Sequence, residues 1–304
     1  MGYQDVHWEI VDYQGYILDQ TDLWFRGPQP QSLEPGKYFV CLGAAQTFGC
    51  FCEKPYPLLL QEQLQFPTLN LGYGGAGPYF FLKHQALWDY INNAKFVIVQ
   101  VMSGRSESNS LFDSGGLEHL TRRMDGVKIG AQDAYQQLLE KNYSPHPEAL
   151  EKWRRKIVGF LTENPKVKEI ITETRQNWVE NYHQLLNKIK VPKILFWFSK
   201  RKPDYQERYS SLGALFGEFP QLINLEMINQ IKGNCDDYVQ CISHQGSPQL
   251  LVSRFTGQSI TINLAEDPDR QDFEQQWTHN NYYPSPEMQI DATRFLAPIC
   301  QKYL

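Results

Sequence analysis

Several absences bound this sequence before any motif is considered. No apolar run approaches the ~20 residues that span a bilayer. Residues 1–8, Met-Gly-Tyr-Gln-Asp-Val-His-Trp, hold neither the basic nor the apolar segment of a secretory leader. A cytoplasmic protein without membrane insertion is expected. Net charge is only -5 and charged residues make up 21%, so no broad basic field invites nucleic acid or an anionic membrane. The cysteines, Cys41, Cys50, Cys52, Cys235, Cys241 and Cys300, form no CxxC pair. Reduced, scattered thiols are expected, with neither a disulfide framework nor a metal site. There is no internal repeat and no low-complexity segment. The first glycine loop lacks the lysine of a Walker loop, and the run Gly72–Pro78 lacks the GxGxxG spacing and following acid of a dinucleotide site. No Ser-His-Asp triad can be assembled from spacing.

What is present is a repeating order of strand, small-residue loop and helix. The 304 residues leave ample room for a buried core. Tyr38–Leu42 reads as a strand, followed by the loop Gly43-Ala-Ala-Gln-Thr-Phe-Gly49 and a helix from Pro55 to Leu64 opened by proline. Phe66–Leu71 is a second strand running into Gly72–Pro78, with a helix over 79–93. Lys95–Met102 is the clearest strand, almost continuously apolar as a strand covered on both faces should be. Pro192–Ser199 is a fourth, and Tyr238–Ile242 and Gln249–Ser253 are short ones. Residues 111–130 read as irregular, 131–190 as mostly helical with a break at Ser144–Pro147, 222–231 as helix, 256–275 as polar loop, and the last helix starts near Gln289. This order predicts a three-layer α/β/α fold with a mainly parallel central sheet. The whole chain, 1–304, is expected to form a single domain, with 111–190 as a largely helical insertion or lid.

In such folds ligands bind where the C-terminal ends of the strands meet. The loop at 43–49 offers backbone donors with Gln46, Thr47 and Gly49. After the 95–102 strand, Arg105 stands among Ser106, Ser108, Asn109 and Ser110, a guanidinium and hydroxyls suited to phosphate or sulfate. Arg26, Lys54 and the cluster Lys200-Arg201-Lys202 are further sources of positive charge. His84 and His119 are the candidate bases.

Two families resemble this layout. In the SGNH (GDSL-like) hydrolases, Gly-x-Ser follows the first strand, a glycine the second, Gly-x-Asn the third, and Asp-x-x-His lies near the C-terminus. Here Gly43–Gly49, Asn70-Leu-Gly72, Ser103-Gly-Arg-Ser106 and Pro284–Gln289 take those places. Ala45 then stands at the nucleophile position and Gln289 where a histidine is expected, and neither can supply a hydroxyl nucleophile or its base. That resemblance implies an esterase or acyltransferase of polysaccharide metabolism, or a non-catalytic, carbohydrate-binding descendant of one. The second resemblance is to sulfotransferases that use 3′-phosphoadenosine 5′-phosphosulfate (PAPS), carried by strand 38–42 with Gln46, Thr47 and Gly49 and by strand 95–102 with Arg105, Ser108 and Ser110. It implies transfer of a sulfuryl group from PAPS to a hydroxyl of a small molecule or glycan, with His84 or His119 as base. This transfer is the expected function. The sequence also resembles an uncharacterised family of bacteria including cyanobacteria.

Overall fold

The computed structural model describes residues 3–140, 165–263 and 276–304. Its centre is a five-stranded sheet of β1 (Phe39–Gly43), β2 (Thr68–Gly72), β3 (Val97–Gln100), β4 (Lys193–Ser199) and β5 (Asp237–Ile242), in the order β5-β4-β3-β1-β2. Every pairing is parallel. Parallel strands need a crossover between them, and the helices that supply it cover both faces. Side chains alternate accordingly. Val40, Leu42, Val97, Val99, Leu195 and Trp197 enter one core, while Phe39, Cys41, Ile98, Ile194, Phe196 and Phe198 enter the other. The expected three-layer α/β/α architecture is the one observed.

The helices of the core are α1 (Ala45–Phe48), α2 (Tyr56–Leu64), α3 (Pro78–Lys83), α4 (Leu87–Asn92), α5 (Ala131–Glu140), α6 (Pro165–Lys188), α7 (Leu225–Ile231) and α8 (Pro286–Cys300). Helices α3, α4, α6 and α7 cover one face through Phe80, Leu87, Trp178 and Ile228, and α2 and α8 the other through Leu60 and Leu296. In α6 the buried stripe Ile170, Ile171, Thr174, Trp178, Tyr182, Leu185 follows helical spacing. Its aromatics also tie off the end of β3: Trp178 Nε1 donates to Met102 O (3.1 Å), and the Tyr182 hydroxyl donates to Gln100 O (2.7 Å).

Several elements differ from the sequence reading. The 43–49 loop is a helical turn, α1, closed by Gly49 in the left-handed region. The single helix expected over 79–93 is two, α3 and α4. Residues 111–130 hold a three-stranded antiparallel sheet of Phe112–Asp113, His119–Arg122 and Lys128–Gly130. Helix α8 begins at Pro286, because Ser285 caps it by accepting from Met288 N (3.2 Å). Ile262–Asn263 pairs with Gln276–Trp277 where only loop was expected. The break expected at Ser144–Pro147 lies outside the described residues. No described helix is long and apolar enough to cross a membrane.

Arg26 is buried without a carboxylate partner among the described residues, so it is not the anion ligand that its position suggested. Nη1 donates to Phe48 O (3.2 Å) and Gly49 O (2.7 Å), and Nη2 to Cys52 O and Glu53 O (both 2.6 Å). The guanidinium also lies 4.9 Å from the Tyr13 ring centroid. It satisfies carbonyls that the turn after α1 would otherwise bury unpaired. Arg26→Met is expected to cost roughly 3 kcal/mol. Thermal unfolding should show Tm lower by about 5 °C. A single ammonium cannot span those carbonyls, so Arg26→Lys should recover little of the loss. An unchanged Tm in Arg26→Met would contradict this role.

Candidate functional site

The chain leaves β1 for β2 on one side and returns to β3 on the other, so the crevice for a ligand opens between the ends of β1 and β3. Here that crevice is filled by protein. Gln100, the last residue of β3, accepts from Ala44 N (3.0 Å) and from the Thr47 hydroxyl (2.6 Å). Thr47 Oγ1 also lies 3.0 Å from the Tyr56 hydroxyl. A Cβ on Gly43 would collide with Thr47 and Gln100, and one on Gly72 with the Phe48 backbone. Glycine at these two strand ends therefore permits the close seating of α1. From the far end of the chain, Gln289 completes the seal. Its Nε2 donates to Gln46 O (3.2 Å), and its Oε1 accepts from Tyr56 N (2.9 Å). Ala45 is 5% exposed and Gln289 0%.

Around this plug the edge remains unusually polar. Gln46 Oε1, Gln100 Nε2, Arg105 Nε, Glu107 Oε1 and Gln221 Oε1 are buried with no hydrogen-bond partner among the described residues. Buried polar atoms are nearly always paired, so each of these invites a water or a ligand group. Arg105 is the one cation among these five residues. Nη2 donates to Glu118 Oε1 (2.6 Å) and to the Tyr282 hydroxyl (2.8 Å), which also accepts from Gln221 Nε2 (3.0 Å). Burial works against the Arg105 charge, but Glu118 and Tyr282 outweigh it and hold the pKa above the ordinary arginine value. Tyr282 is pushed up, chiefly by burial. It also lines an open groove of about 650 Å³ with Gln276, Trp277, His279 and Asn281. Lys200 bonds the lining residue Asn281 from outside the groove, donating to its O and to Ser247 Oγ (both 2.6 Å).

The expected site residues are not gathered at one point. Gln46 and Thr47 are buried in α1, and Gly49 caps it. Ser108 Oγ donates to Asp113 Oδ1 (3.0 Å), and Ser110 is exposed. His84 packs against Phe80 at 4.6 Å, with its pKa lowered by burial and then by Lys83. His119 is exposed on the antiparallel sheet. No described contact joins either histidine to the 43–49 turn. Among the other cations, Lys54 pairs with Glu62, and Arg201 donates to Glu218 O, Lys202 O, Pro220 O and Ile223 O. Trp277, Tyr282, Glu118, Gln221 and Gln100 were missed. Only Gln100 left a trace, as a lone amide in an apolar strand. Among the described residues no group of three or more side chains could hold a metal.

Residues 1–114 and 155–275 match a family described as a domain of unknown function, DUF6473. The chain belongs to this family. No curated protein matches it in sequence. Among solved structures it is similar to a carbohydrate acetylesterase family member from Sinorhizobium meliloti, at 9% identity and TM-score 0.39, covering 88% of this chain and 99% of that one. It is similar to a carbohydrate esterase family 2 enzyme of Corynascus thermopiles, at 10% identity and TM-score 0.40, covering 90% and 68%. A gut microbial diltiazem-metabolizing enzyme is 13% identical with TM-score 0.31, and 66% of this chain spans only 33% of it. Likeness at this level assigns no function. Two of the three are named as esterases and none as a sulfotransferase, and the sulfotransferase expectation is corrected. The side chains agree: the 43–49 turn holds no cation, its Thr47 hydroxyl is engaged internally, and Arg26 is spent on carbonyls. PAPS therefore has no support here.

Glu107 yields a measurable consequence of this polar edge. Its Oε2 accepts from Asn181 Nδ2 (2.7 Å), but burial dominates and pushes the pKa from 4.5 up to about 8. The folded state thus favours the neutral acid. Its contribution is full below about pH 4.5 and is lost as pH rises through about 8. Glu107→Gln should flatten that decline and, near neutral pH, exceed the wild type in stability by about 1 kcal/mol or more. Denaturant unfolding across this range tests it, and parallel pH profiles for the two proteins would contradict it.

Proposed function

We propose that this chain is a non-catalytic descendant of an SGNH-type hydrolase that binds saccharides in the groove at Trp277 and Tyr282. One observation carries the reading. The positions that would hold nucleophile and base are Ala45 and Gln289, and both are locked into the core, with Gln289 bonded to Gln46 O and Tyr56 N. An alanine offers no nucleophile, and an amide already bonded at both ends takes up no proton. What remains is an open, polar-walled concavity. The indole of Trp277 and ring of Tyr282 offer flat apolar surface for a sugar ring, and Gln276 and Asn281 offer amides for its hydroxyls. The groove lies at the sheet edge where hydrolases of this layout bind substrate, displaced from the sealed crevice toward the C-terminal segment.

The protein should not release p-nitrophenol from p-nitrophenyl acetate above the buffer rate. Ala45→Ser should not restore turnover, because no imidazole accompanies the new hydroxyl. Wild-type turnover would contradict the reading. In calorimetric titration with xylohexaose, Trp277→Ala should weaken binding about tenfold, which is about 1.4 kcal/mol. Unchanged affinity in that variant would place the saccharide elsewhere.

A further inference from the structure

We infer that the groove selects an anionic saccharide, with Arg105 and Lys200 as the anchors for its carboxylate or sulfate; this rests on the saccharide reading above. Three observations combine. First, Arg105 is a buried guanidinium with donors to spare. Only Nη2 is engaged, by Glu118 and Tyr282, while Nε has no partner and Nη1 forms no bond among the described residues. A guanidinium has five N–H donors, and leaving them unfilled away from water is costly. Second, Gln221 holds its carbonyl oxygen unpartnered beside the same phenol to which its Nε2 donates. Buried donor and acceptor thus lie together behind Tyr282. They suit a hydroxylated acid group better than an apolar guest. Third, the charge on this wall is lopsided. Lys200 bonds only neutral oxygens, of Ser247 and Asn281, so the side chains bonded to the groove wall carry two cations against the carboxylate of Glu118. Glu218 lies near Lys200, but Arg201 shares its field.

Tyr282 links this charge to the groove. Its ring lines the cavity, its hydroxyl holds Arg105 Nη2, and the guanidinium carbon is 6.0 Å from its ring centroid. An oxyanion on a sugar stacked against Tyr282 lies within reach of that field, strengthened by the low local dielectric. Charged hydrogen bonds of this type are stronger than neutral ones, and Arg offers two in parallel.

The test uses the full chain and three hexoses that differ at one carbon: glucose, glucuronate and glucose 6-sulfate. Binding is followed by tryptophan fluorescence and by calorimetry. At least one anionic hexose should bind about tenfold or more tightly than glucose, and the preference should shrink with added salt. The carboxylate and sulfate arms identify which acid group fits. In Lys200→Gln the preference should fall several-fold. The paired change Arg105→Gln with Glu118→Gln, which avoids a stranded carboxylate, should abolish it, read as the ratio of anionic to neutral hexose affinity within the same variant. Equal affinity for all three hexoses would overturn the inference and leave the saccharide reading standing. Absence of binding by all three, together with no binding of xylohexaose, would overturn both.

Discussion

A buried amide at the end of β3 sets the character of this protein. The side-chain oxygen of Gln100 accepts from Ala44 N and the Thr47 hydroxyl, while its backbone oxygen accepts from Tyr182 on the long helix α6. Three layers of the fold thus meet at one residue, between the two strands whose ends would otherwise frame a ligand crevice. Removing such an acceptor would leave a buried N–H and a hydroxyl unpaired, which costs more than the bonds themselves contribute. The close seating of α1 on Gly43 and Gly72 follows from it, as does the clamp that Gln289 applies from the C-terminal helix.

Sealing the crevice has a chemical consequence. In an α/β fold the strand ends between β1 and β3 are the natural place for a nucleophile. Here they carry alanine and amides bonded to the backbone, so these strand ends serve packing. Unpartnered polar atoms remain at this edge. The orphaned atoms of Arg105, Glu107 and Gln221 lie on the loops beyond β3 and β4, and Tyr282 joins them to an aromatic groove. Arg26 and Arg201 show the opposite fate for a buried guanidinium. Each is bonded to several backbone carbonyls and holds turns together, whereas Arg105 is bonded to the side chains of Glu118 and Tyr282.

The sheet was legible in the sequence because parallel strands buried on both faces read as apolar runs, as Lys95–Met102 and Pro192–Ser199 do. Boundaries shifted where capping decides them, as at Ser285, whose hydroxyl starts α8 earlier than the apolar pattern suggests. The short antiparallel strands at 112–130 were hidden, since two- to four-residue strands carry too little alternation to detect. Arg105 was found because charge beside a strand end is conspicuous. Its partners Glu118, Gln221 and Tyr282 were not, because they come from segments far apart in the chain and only folding brings them together. Likewise Thr47 reads as a ligand arm until Gln100, more than fifty residues on, accepts the hydrogen bond of its hydroxyl.

The most direct measurement is hydrogen–deuterium exchange of the full chain with and without saturating oligogalacturonate. Slower exchange should be confined to residues 276–282 and to the loop carrying Arg105, with the already buried 43–49 turn unchanged. Protection centred on the 43–49 turn, or on a surface remote from Tyr282, would contradict a site displaced from the sealed crevice to the groove.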